Sequence, residues 1–216
     1  MSEETLMGNT QEPLVPHLID AMVAAVVTKA ELLGELDRAI GDGDHGVNMS
    51  RGFLAIAEKR DELRALPLPA CLEAMGKLLV MTVGGASGPL YGSLLMAMGR
   101  AAAAEAPLGT IIGEGVAAVK KRGKSDRGAK TMLDVLVPVQ LAWEQADSEG
   151  LGEDQTLERL RQAALDGLES TRPLMATKGR AAFLRERSIG HLDPGACSSC
   201  LLVQAACDAF LQSRNP

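Results

Sequence analysis

The sequence predicts an all-α protein, and two observations carry that prediction. Apolar residues recur at helical spacing along most of the chain, and no run alternates cleanly between apolar and polar residues over six positions. Aromatic side chains are few, with Trp 1, Tyr 1 and Phe 3 in 216 residues, whereas strands favour aromatic and β-branched residues. Short connections between the helical segments favour a single domain of antiparallel helices.

Nine segments have helical patterning. The clearest is 154–170, where Leu157, Leu160, Ala164 and Leu168 line one face and charged residues lie elsewhere. The first segment, 14–33, is rich in Ala and Leu, and we expect one continuous helix there. The remaining predicted helices are 48–63, 70–83, 90–104, 111–121, 131–146, 177–186 and 196–212.

Prolines, glycines and polar stretches predict where the helices end. Pro138 is expected to kink or interrupt the helix over 131–146. The polar stretches 60–69 and 147–155 are expected to be loops. The uncharged run 78–99 is long enough to cross a membrane, but glycines in its centre favour two buried helices joined by a turn.

Charge and composition exclude several classes of protein. The chain has 22 basic and 28 acidic residues, a net charge of −6, so no basic stripe can neutralise a nucleic-acid backbone. Five aromatic rings are also too few for stacking on bases. The acidic N-terminus does not resemble a signal peptide, and four unevenly spaced cysteines indicate a reducing compartment. We therefore expect a cytoplasmic protein that binds neither nucleic acid nor membrane.

An acidic loop follows the first helical segment. Asp37, Asp42 and Asp44 fall within eight residues, and Gly41, Gly43 and Gly46 lie around the last two. Such crowding of carboxylates costs free energy unless a cation offsets their repulsion, and hard oxygen ligands select Mg²⁺ or Ca²⁺. A solvated acidic turn is the alternative, but the density of glycines favours a metal site.

Two known patterns overlap this loop without fitting it. Residues 41–46 match the dinucleotide pattern G-x-G-x-x-G, but a helix precedes them where that pattern needs a strand. An EF-hand starting at Asp42 would have Phe53 at its twelfth position, where a bidentate Glu belongs.

A third pattern lies further along the chain. Arg122-Gly-Lys-Ser125 resembles the end of a P-loop, but Ala118 stands where the first glycine of a P-loop should be.

Other motifs allow two interpretations each. The glycine-rich stretch 84–93 predicts either an anion site at the start of a helix or a close helix crossing. The basic residues between Lys120 and Lys130 indicate a solvated loop or a phosphate contact. Asp193 before Pro194 predicts a helix cap. A cap alone does not explain why Arg180, Arg187 and His191 gather just before it. Cys197 and Cys200 form a C-x-x-C that we interpret as buried small side chains rather than a redox pair.

Four of these motifs together resemble a known family. They are Asp37…Gly-Asp42-Gly-Asp44-His45-Gly, Gly-Gly-Ala-Ser87-Gly-Pro-Leu-Tyr-Gly, Lys130-Thr-Met132-Leu-Asp and Gly-His191-Leu-Asp193-Pro-Gly. In this order, they resemble the nucleotide-binding L subunit of dihydroxyacetone kinase of the phosphotransferase-system-dependent type, over about residues 14–212. The resemblance implies a barrel of about eight antiparallel helices with the nucleotide at one end. We expect a flexible N-terminus over 1–13 and the barrel over 14–216.

The resemblance also implies roles for individual residues. Asp37, Asp42 and Asp44 match carboxylates that hold two Mg²⁺ ions against the phosphates of ADP or ATP, and no residue is assigned as catalytic. Ala86 and Ser87 match a phosphate-binding turn, and Met132 is expected to pack on the adenine. The full set of matched nucleotide contacts is His45, Gly46, Val47, Asn48, Ala86, Ser87, Gly123, Met132, Arg180, Asp193, Pro194 and Gly195.

By the same resemblance, the chain is a kinase subunit that passes a phosphoryl group to dihydroxyacetone or a related ketose held on a partner K subunit. Two schemes for the phosphoryl donor stay open. In one, ADP stays bound and is rephosphorylated by a phosphotransferase-system phosphocarrier; in the other, ATP exchanges freely. The alternative is a nucleotide-dependent interaction protein that controls a transcription regulator. A related loop in fatty-acid kinases is a weaker match. Ala129 and Cys197 depart from the family's usual acidic residue and threonine, which puts substrate preference or nucleotide exchange in doubt.

Overall fold

A computed structural model describes residues 11–214, and over those residues the protein is all-α. Ten α-helices and one 3₁₀ helix follow one another without a strand in this part of the chain. The helices are α1 (Gln11–Thr28), α2 (Ala30–Ile40), α3 (His45–Glu58), α4 (Arg60–Arg64), α5 (Leu68–Thr82), α6 (Ser87–Ala103), α7 (Leu108–Gly123), α8 (Leu133–Ser148), α9 (Glu153–Ser170), the 3₁₀ helix (Arg180–Ser188) and α10 (Pro194–Arg214).

Eight of these helices form a closed ring. In order around it, α1 packs on α3, then come α5, α6, α7, α8, α9 and α10, and α10 packs back on α1. The ring encloses an apolar core to which most of its helices contribute, including Ile19, Phe53, Met75, Tyr91 and Leu133. Helix α2 lies outside the ring against α3, α10 and the 3₁₀ helix. The predicted all-α barrel of about eight helices is therefore confirmed.

The first predicted helix is in fact two helices. We expected continuity over 14–33, but α1 ends at Thr28 and α2 begins at Ala30. At Lys29 the backbone has φ −106° and ψ 11°, and its N–H donates to the Val26 carbonyl three residues back rather than four. This tightened turn ends α1. Helix α1 also begins at Gln11, inside the segment 1–13 that we expected to be flexible, and residues 1–10 lie outside the described part of the chain.

Pro138 does not interrupt its helix. Helix α8 continues through Pro138 from Leu133 to Ser148, although proline removes one backbone donor from the helix. The carbonyl that loses this donor belongs to Asp134, and Gly167 of α9 packs against it: a Cβ on Gly167 would lie 2.5 Å from that oxygen. Close packing of α9 at this point covers the altered turn, and of the two expected outcomes, a kink or an interruption, the interruption does not occur.

The segments between the helices also differ from the expectations. The predicted helix over 177–186 is a 3₁₀ helix, Arg180–Ser188, broken at Arg185 with φ 51°. The stretch 60–69, expected to be a loop, contains the short helix α4. The stretch 147–155, also expected to be a loop, contains the connection 149–152 between α8, which ends at Ser148, and α9, which begins at Glu153. Polar composition alone did not distinguish the short helix α4 from a loop.

The uncharged run 78–99 is divided between α5 and α6, as expected. The two helices cross at Gly76 and Gly92, where a Cβ on Gly92 would lie 2.7 Å from the Gly76 carbonyl oxygen. Among the described helices, only α10 is long and apolar enough to span a membrane, and half of it is buried within the protein. Cys197 and Cys200 on that helix are buried and unpaired, and burial raises the pKa of both thiols, as expected for packing residues.

Candidate functional site

Three carboxylates meet at one end of the barrel. Asp37 lies in the last turn of α2, and Asp42 and Asp44 lie in the loop before α3. One oxygen from each of the three lies within 4.8 Å of the other two. Asp37 is buried, with 8% of its surface exposed, whereas Asp42 and Asp44 face solvent. The structure thus brings together the three residues that the sequence singled out as metal ligands.

The backbone around these carboxylates is fixed by contacts between α2 and α3. Asp37 Oδ2 accepts a hydrogen bond from the His45 N–H at 3.1 Å, which satisfies an unpaired donor at the start of α3. Gly46 lies directly against α2, and a Cβ there would be 1.9 Å from the Ala30 carbonyl oxygen. Gly43, between the two exposed aspartates, has φ 79°, which glycine adopts readily. The spacing of the acids is therefore built into the α2–α3 connection.

Arg180 reaches this cluster from the 3₁₀ helix. Its Nη1 lies 2.8 Å from Asp42 Oδ2. The 3₁₀ helix is held on α2 by apolar contacts, since Ala181 packs in a small cluster with Ile40. Arg187 and His191, which the sequence groups with Arg180, are exposed. Of those three residues, Arg180 alone has a described ion pair with the acidic cluster.

The glycine-rich turn before α6 lies beside the first turns of α3. His45 Nδ1 is 3.2 Å from Ser87 Oγ. Arg51 donates to Asn48 Oδ1 at 2.6 Å and to the Thr82 carbonyl at 2.7 Å, which links α3 to the end of α5. Gly85 in this turn has φ 66°. The start of a helix presents unpaired N–H groups and the positive end of the helix dipole, so the turn can accept an anion.

A buried polar network connects this turn to α10. His45 Nε2 is 2.9 Å from Ser198 Oγ, and Ser198 Oγ is 2.7 Å from the Tyr91 hydroxyl. The same hydroxyl lies 2.8 Å from Ser199 Oγ and 3.1 Å from the Gly195 carbonyl oxygen. Burial lowers the pKa of His45, although the nearby Asp37 and Asp44 oppose this effect, and burial raises the pKa of Tyr91.

Sequence reasoning missed Tyr91, Ser198 and Ser199. The one available signal was a tyrosine within an apolar helix, because a buried phenol hydroxyl must find a hydrogen-bond partner. Its partners lie more than one hundred residues away and could not be identified from spacing.

Met132 and the start of α10 form the next part of the site. Asp193 caps α10 as predicted, because its Oδ2 accepts from the Ala196 N–H at 2.7 Å. Burial raises the pKa of Asp193 to about 7. Gly195 lies against Met132, whose backbone nitrogen would be 3.6 Å from a Cβ on Gly195. Met132, Asp193 and Gly195 are therefore neighbours, although about sixty residues of chain separate the first from the other two.

Lys130 holds the segments around Thr171 and His191 together from within the protein. It is almost fully buried, and its Nζ donates to the Thr171 carbonyl at 2.7 Å and to the His191 carbonyl. Burial lowers the pKa of the Lys130 ammonium. Asp134 accepts from the Thr131 N–H at 2.7 Å and from the Gly128 N–H, which holds the turn before α8. The sequence placed Lys130 in a basic cluster and in one of the family motifs, but gave the residue no role of its own.

The other predicted contacts lie at the edge of the site. Gly123 ends α7, and a Cβ there would be 3.4 Å from Leu90 near the start of α6. Val47 is 67% exposed on the first turn of α3. The basic loop after α7 lines an open cavity of about 570 Å³ together with Thr177 and Lys178. Lys120, in the last turn of α7, pairs with Asp126 of this loop at 2.8 Å. The structure thus places Val47 on the first turn of α3 and Gly123 near the start of α6, and neither has a described hydrogen bond to the acidic cluster.

Comparison with known proteins identifies the family of the chain. A model of the DAK2 domain matches residues 39–208. The ADP-binding subunit DhaL of PEP-dependent dihydroxyacetone kinase 1 from Listeria innocua is 45% identical over 179 residues, which cover 81% of this chain and 85% of the relative. The ADP-binding subunit DhaL of PEP-dependent dihydroxyacetone kinase from Escherichia coli is 40% identical over 182 residues, covering 82% of this chain and 87% of the relative.

A solved structure gives the same result for the fold. The dihydroxyacetone kinase of C. freundii in complex with AMP-PNP and Mg²⁺ superposes with a TM-score of 0.73 at 25% sequence identity, covering 90% of this chain. This chain spans about a third of that longer kinase, with 33% covered. The relatives confirm the predicted resemblance and the predicted enzyme class, a phosphotransferase. The chain belongs to the DAK2-domain family, together with the L subunits of dihydroxyacetone kinases.

Proposed function

We propose that this chain binds ADP or ATP as a magnesium complex and passes a phosphoryl group to a ketose held on a partner K subunit. One observation carries the proposal: three carboxylates converge within 4.8 Å at the end of the barrel where the N-terminus of α6 also lies. The relatives described above are named as ADP-binding subunits of dihydroxyacetone kinases. The kinase function is therefore preferred over control of a transcription regulator, which no observation favours.

The carboxylate cluster fits magnesium. Mg²⁺ prefers hard oxygen ligands and is usually held by a few carboxylates together with substrate phosphates. Asp37, Asp42 and Asp44 supply such oxygens, and we propose that they hold two ions. When bound, magnesium neutralises the charge of the phosphates and holds their oxygens in position. A protein with a net charge of −6 can in this way bind an anionic nucleotide.

The remaining residues of the site would hold the nucleotide itself. We propose that backbone N–H groups of the turn around Ala86 and Ser87 donate to phosphate oxygens, because they lie at the positive end of the α6 dipole. Arg180 lies close enough to Asp42 to contact a phosphate held by the same cluster. Met132 and Gly195, which are neighbours, would line the base site. Phosphoryl transfer depends mainly on such positioning and charge stabilisation.

The acceptor and the donor lie on other subunits in this proposal. A K subunit would present the ketose to the nucleotide end of the barrel, and a phosphotransferase-system phosphocarrier would rephosphorylate bound ADP. Related L subunits carry the description PEP-dependent, which supports a bound-ADP scheme over free exchange of ATP. The rate at which nucleotide dissociates decides between them, since fast exchange with ATP-driven turnover would contradict the bound-ADP scheme. Such a system would operate in the cytoplasm.

The test begins with the purified protein. We expect mass spectrometry to identify ADP carried through purification, and calorimetry on nucleotide-stripped protein to show tight ADP binding with Mg²⁺ and none with excess chelator. The loaded protein is then assayed with a matching K subunit and phosphocarrier across several ketoses. Magnesium-independent ADP binding would contradict the proposed metal site, and the absence of any nucleotide binding would overturn the proposed function.

A further inference from the structure

The polar network around Tyr91 has no role in the nucleotide site as proposed so far. Tyr91 is the chain's single tyrosine, and its ring is among the largest fully buried side chains. Ser198 and Ser199 are also almost completely buried, on the first turns of α10. A buried hydroxyl group costs free energy unless it is hydrogen-bonded, and an aliphatic side chain would fill such a space without that cost. Three hydroxyl groups gathered at one point therefore need an explanation.

The network ends at the proposed phosphate turn. Its contacts run from Tyr91 to Ser198 at 2.7 Å, from Ser198 to His45 Nε2 at 2.9 Å, and from His45 Nδ1 to Ser87 Oγ at 3.2 Å. The His45 backbone N–H also donates to Asp37 at 3.1 Å. His45 thus stands between the acidic cluster on one side and the turn before α6 on the other, with both ring nitrogens engaged.

The hydrogen positions follow from counting donors and acceptors around Ser198 Oγ. Four polar atoms lie within 3.1 Å of it: the carbonyl oxygens of Pro194 and Gly195, the Tyr91 hydroxyl and His45 Nε2. The two carbonyls only accept, and we assign the single hydrogen of Ser198 to them. The other two neighbours must then donate to Ser198, which requires a hydrogen on His45 Nε2.

This count determines the state of the second ring nitrogen. With its hydrogen on Nε2, a neutral His45 offers a lone pair at Nδ1, which accepts the hydroxyl hydrogen of Ser87. The Ser87 hydrogen then points inward to His45, and the phosphate-facing contacts of the turn come from its backbone N–H groups. We propose that Tyr91 is a positioning residue which, through Ser198, fixes the tautomer and orientation of His45 and thereby the phosphate turn at Ser87.

This inference rests on the proposed function, because it assigns Tyr91 to the nucleotide site without contact with the nucleotide. Tyr91→Phe removes the hydroxyl while keeping the ring in the core. We expect it to weaken binding of Mg-ADP about tenfold, the effect of losing one well-placed hydrogen bond. Ser198→Ala, which breaks the contact with His45 directly, should have the same effect. The double variant should lose no more than either single one, because both act on one path.

Ser199→Ala is the matched control. Ser199 contacts the same Tyr91 hydroxyl at 2.8 Å but has no described contact with His45. If Tyr91 acts through His45, this variant binds Mg-ADP within about twofold of the wild type, since the positioning path stays intact. Equal losses in the Ser199 and Ser198 variants would show a general effect on the packing of α10 and would overturn the proposal, as would an unchanged affinity of Tyr91→Phe.

A second measurement uses no nucleotide. Nitrogen-15 NMR of the imidazole rings distinguishes the two neutral tautomers, and the chain has only three histidines, which His17→Gln and His191→Gln assign. We expect His45 in the wild type to carry its hydrogen on Nε2, and the tautomers to become mixed in Tyr91→Phe. A hydrogen on Nδ1 in the wild type would overturn the inference. If the wild type failed to bind Mg-ADP, the proposed function would fail, while the tautomer result would still test the network.

Discussion

Arg180 Nη1 lies 2.8 Å from Asp42 Oδ2, so the 3₁₀ helix places a cation directly on one of the three carboxylates proposed to hold magnesium. Most of the Arg180 side chain is exposed, and an exposed ion pair of this kind stabilises a fold by less than about 1 kcal/mol. The pair therefore matters more for binding than for stability. A metal ion and the guanidinium compete for the same carboxylate, whereas a phosphate can accept from the guanidinium.

Arg180→Ala separates these two effects. We expect it to weaken Mg-ADP binding by about tenfold or more, since a hydrogen bond to a charged group contributes about 1.5–3 kcal/mol. Binding of Mn²⁺ alone, followed by electron paramagnetic resonance, should not weaken and should strengthen slightly. Arg187→Ala, an exposed arginine of the same 3₁₀ helix, is the control and should change neither affinity. An unchanged Mg-ADP affinity in Arg180→Ala would contradict the assigned contact.

Asp42→Asn tests the metal site itself. This substitution keeps the size of the side chain and removes one charge from the cluster, so we expect Mg²⁺-dependent ADP binding to be lost. The helical circular dichroism and the thermal midpoint should stay close to those of the wild type, because Asp42 is exposed. Asp166→Asn, on the exposed face of α9, serves as the charge-matched control. ADP affinity equal to that of the wild type in calorimetry would remove the magnesium bridge from the proposal.

Gly46→Ala tests the contact between α2 and α3. The added methyl group would meet the Ala30 carbonyl oxygen at 1.9 Å, and this obstacle is backbone rather than a mobile side chain. We expect the free energy of unfolding in urea to fall by about 3 kcal/mol. Gly152→Ala, where φ is −65° and no atom lies within 4 Å of the new methyl group, should change stability by less than about 1 kcal/mol. Similar stability of both variants would show that α2 can move away from α3 at little cost.

Asp193 gives the fold a dependence on pH. Burial raises its pKa to about 7 from an ordinary value of 3.8, so the folded state binds this proton more tightly than the unfolded state. The resulting stabilisation is complete below about pH 4, declines as pH rises through about 7, and is lost above that. Asp193→Asn keeps a good helix cap and does not titrate.

We therefore expect wild-type stability, measured without nucleotide, to fall by roughly 2 kcal/mol relative to Asp193→Asn between pH 5 and pH 7. Urea unfolding at several pH values checks this difference. Asp166→Asn should track the wild type over the same range. Parallel curves for the wild type and Asp193→Asn would mean that Asp193 is ionised in the folded protein throughout.

The barrel was predictable because its helices have regular apolar patterning, but the breaks between helices were not. Val26 and Leu33 are both fully buried and lie seven residues apart, the spacing of one continuous helix, although the chain turns at Lys29 between them. Ala181 belongs to the small cluster that contains Ile40, and Leu184, three residues later, packs against that cluster. This spacing suits a 3₁₀ helix as well as an α-helix. Apolar periodicity records which side chains are buried and not whether the backbone continues.

The candidate site also has a part that the sequence predicted and a part that it did not. The acidic loop was predictable, since three carboxylates within eight residues are costly without a cation. The link between His45 and Ser198 was not, because 153 residues separate them and serines in an apolar helix look unremarkable in sequence. The burial of Lys130 was likewise hidden, because the same local sequence is consistent with a solvated basic loop. The clustering of charge could be predicted from the local sequence, whereas hydrogen bonds between distant residues could be identified only from the folded structure.

The packing of α1 against α10 determines where a tag or a second domain joined to the end of α10 would lie. Leu14 of α1 packs with Ala209 and Phe210 near the end of α10, while the start of α10 lies at the carboxylate end of the barrel. Helix α10 has 21 residues and so spans roughly 30 Å. An affinity tag, a sensor surface or a second domain joined beyond Arg214 would be held at the far end, so the end of the barrel that carries Asp37, Asp42 and Asp44 would stay unobstructed.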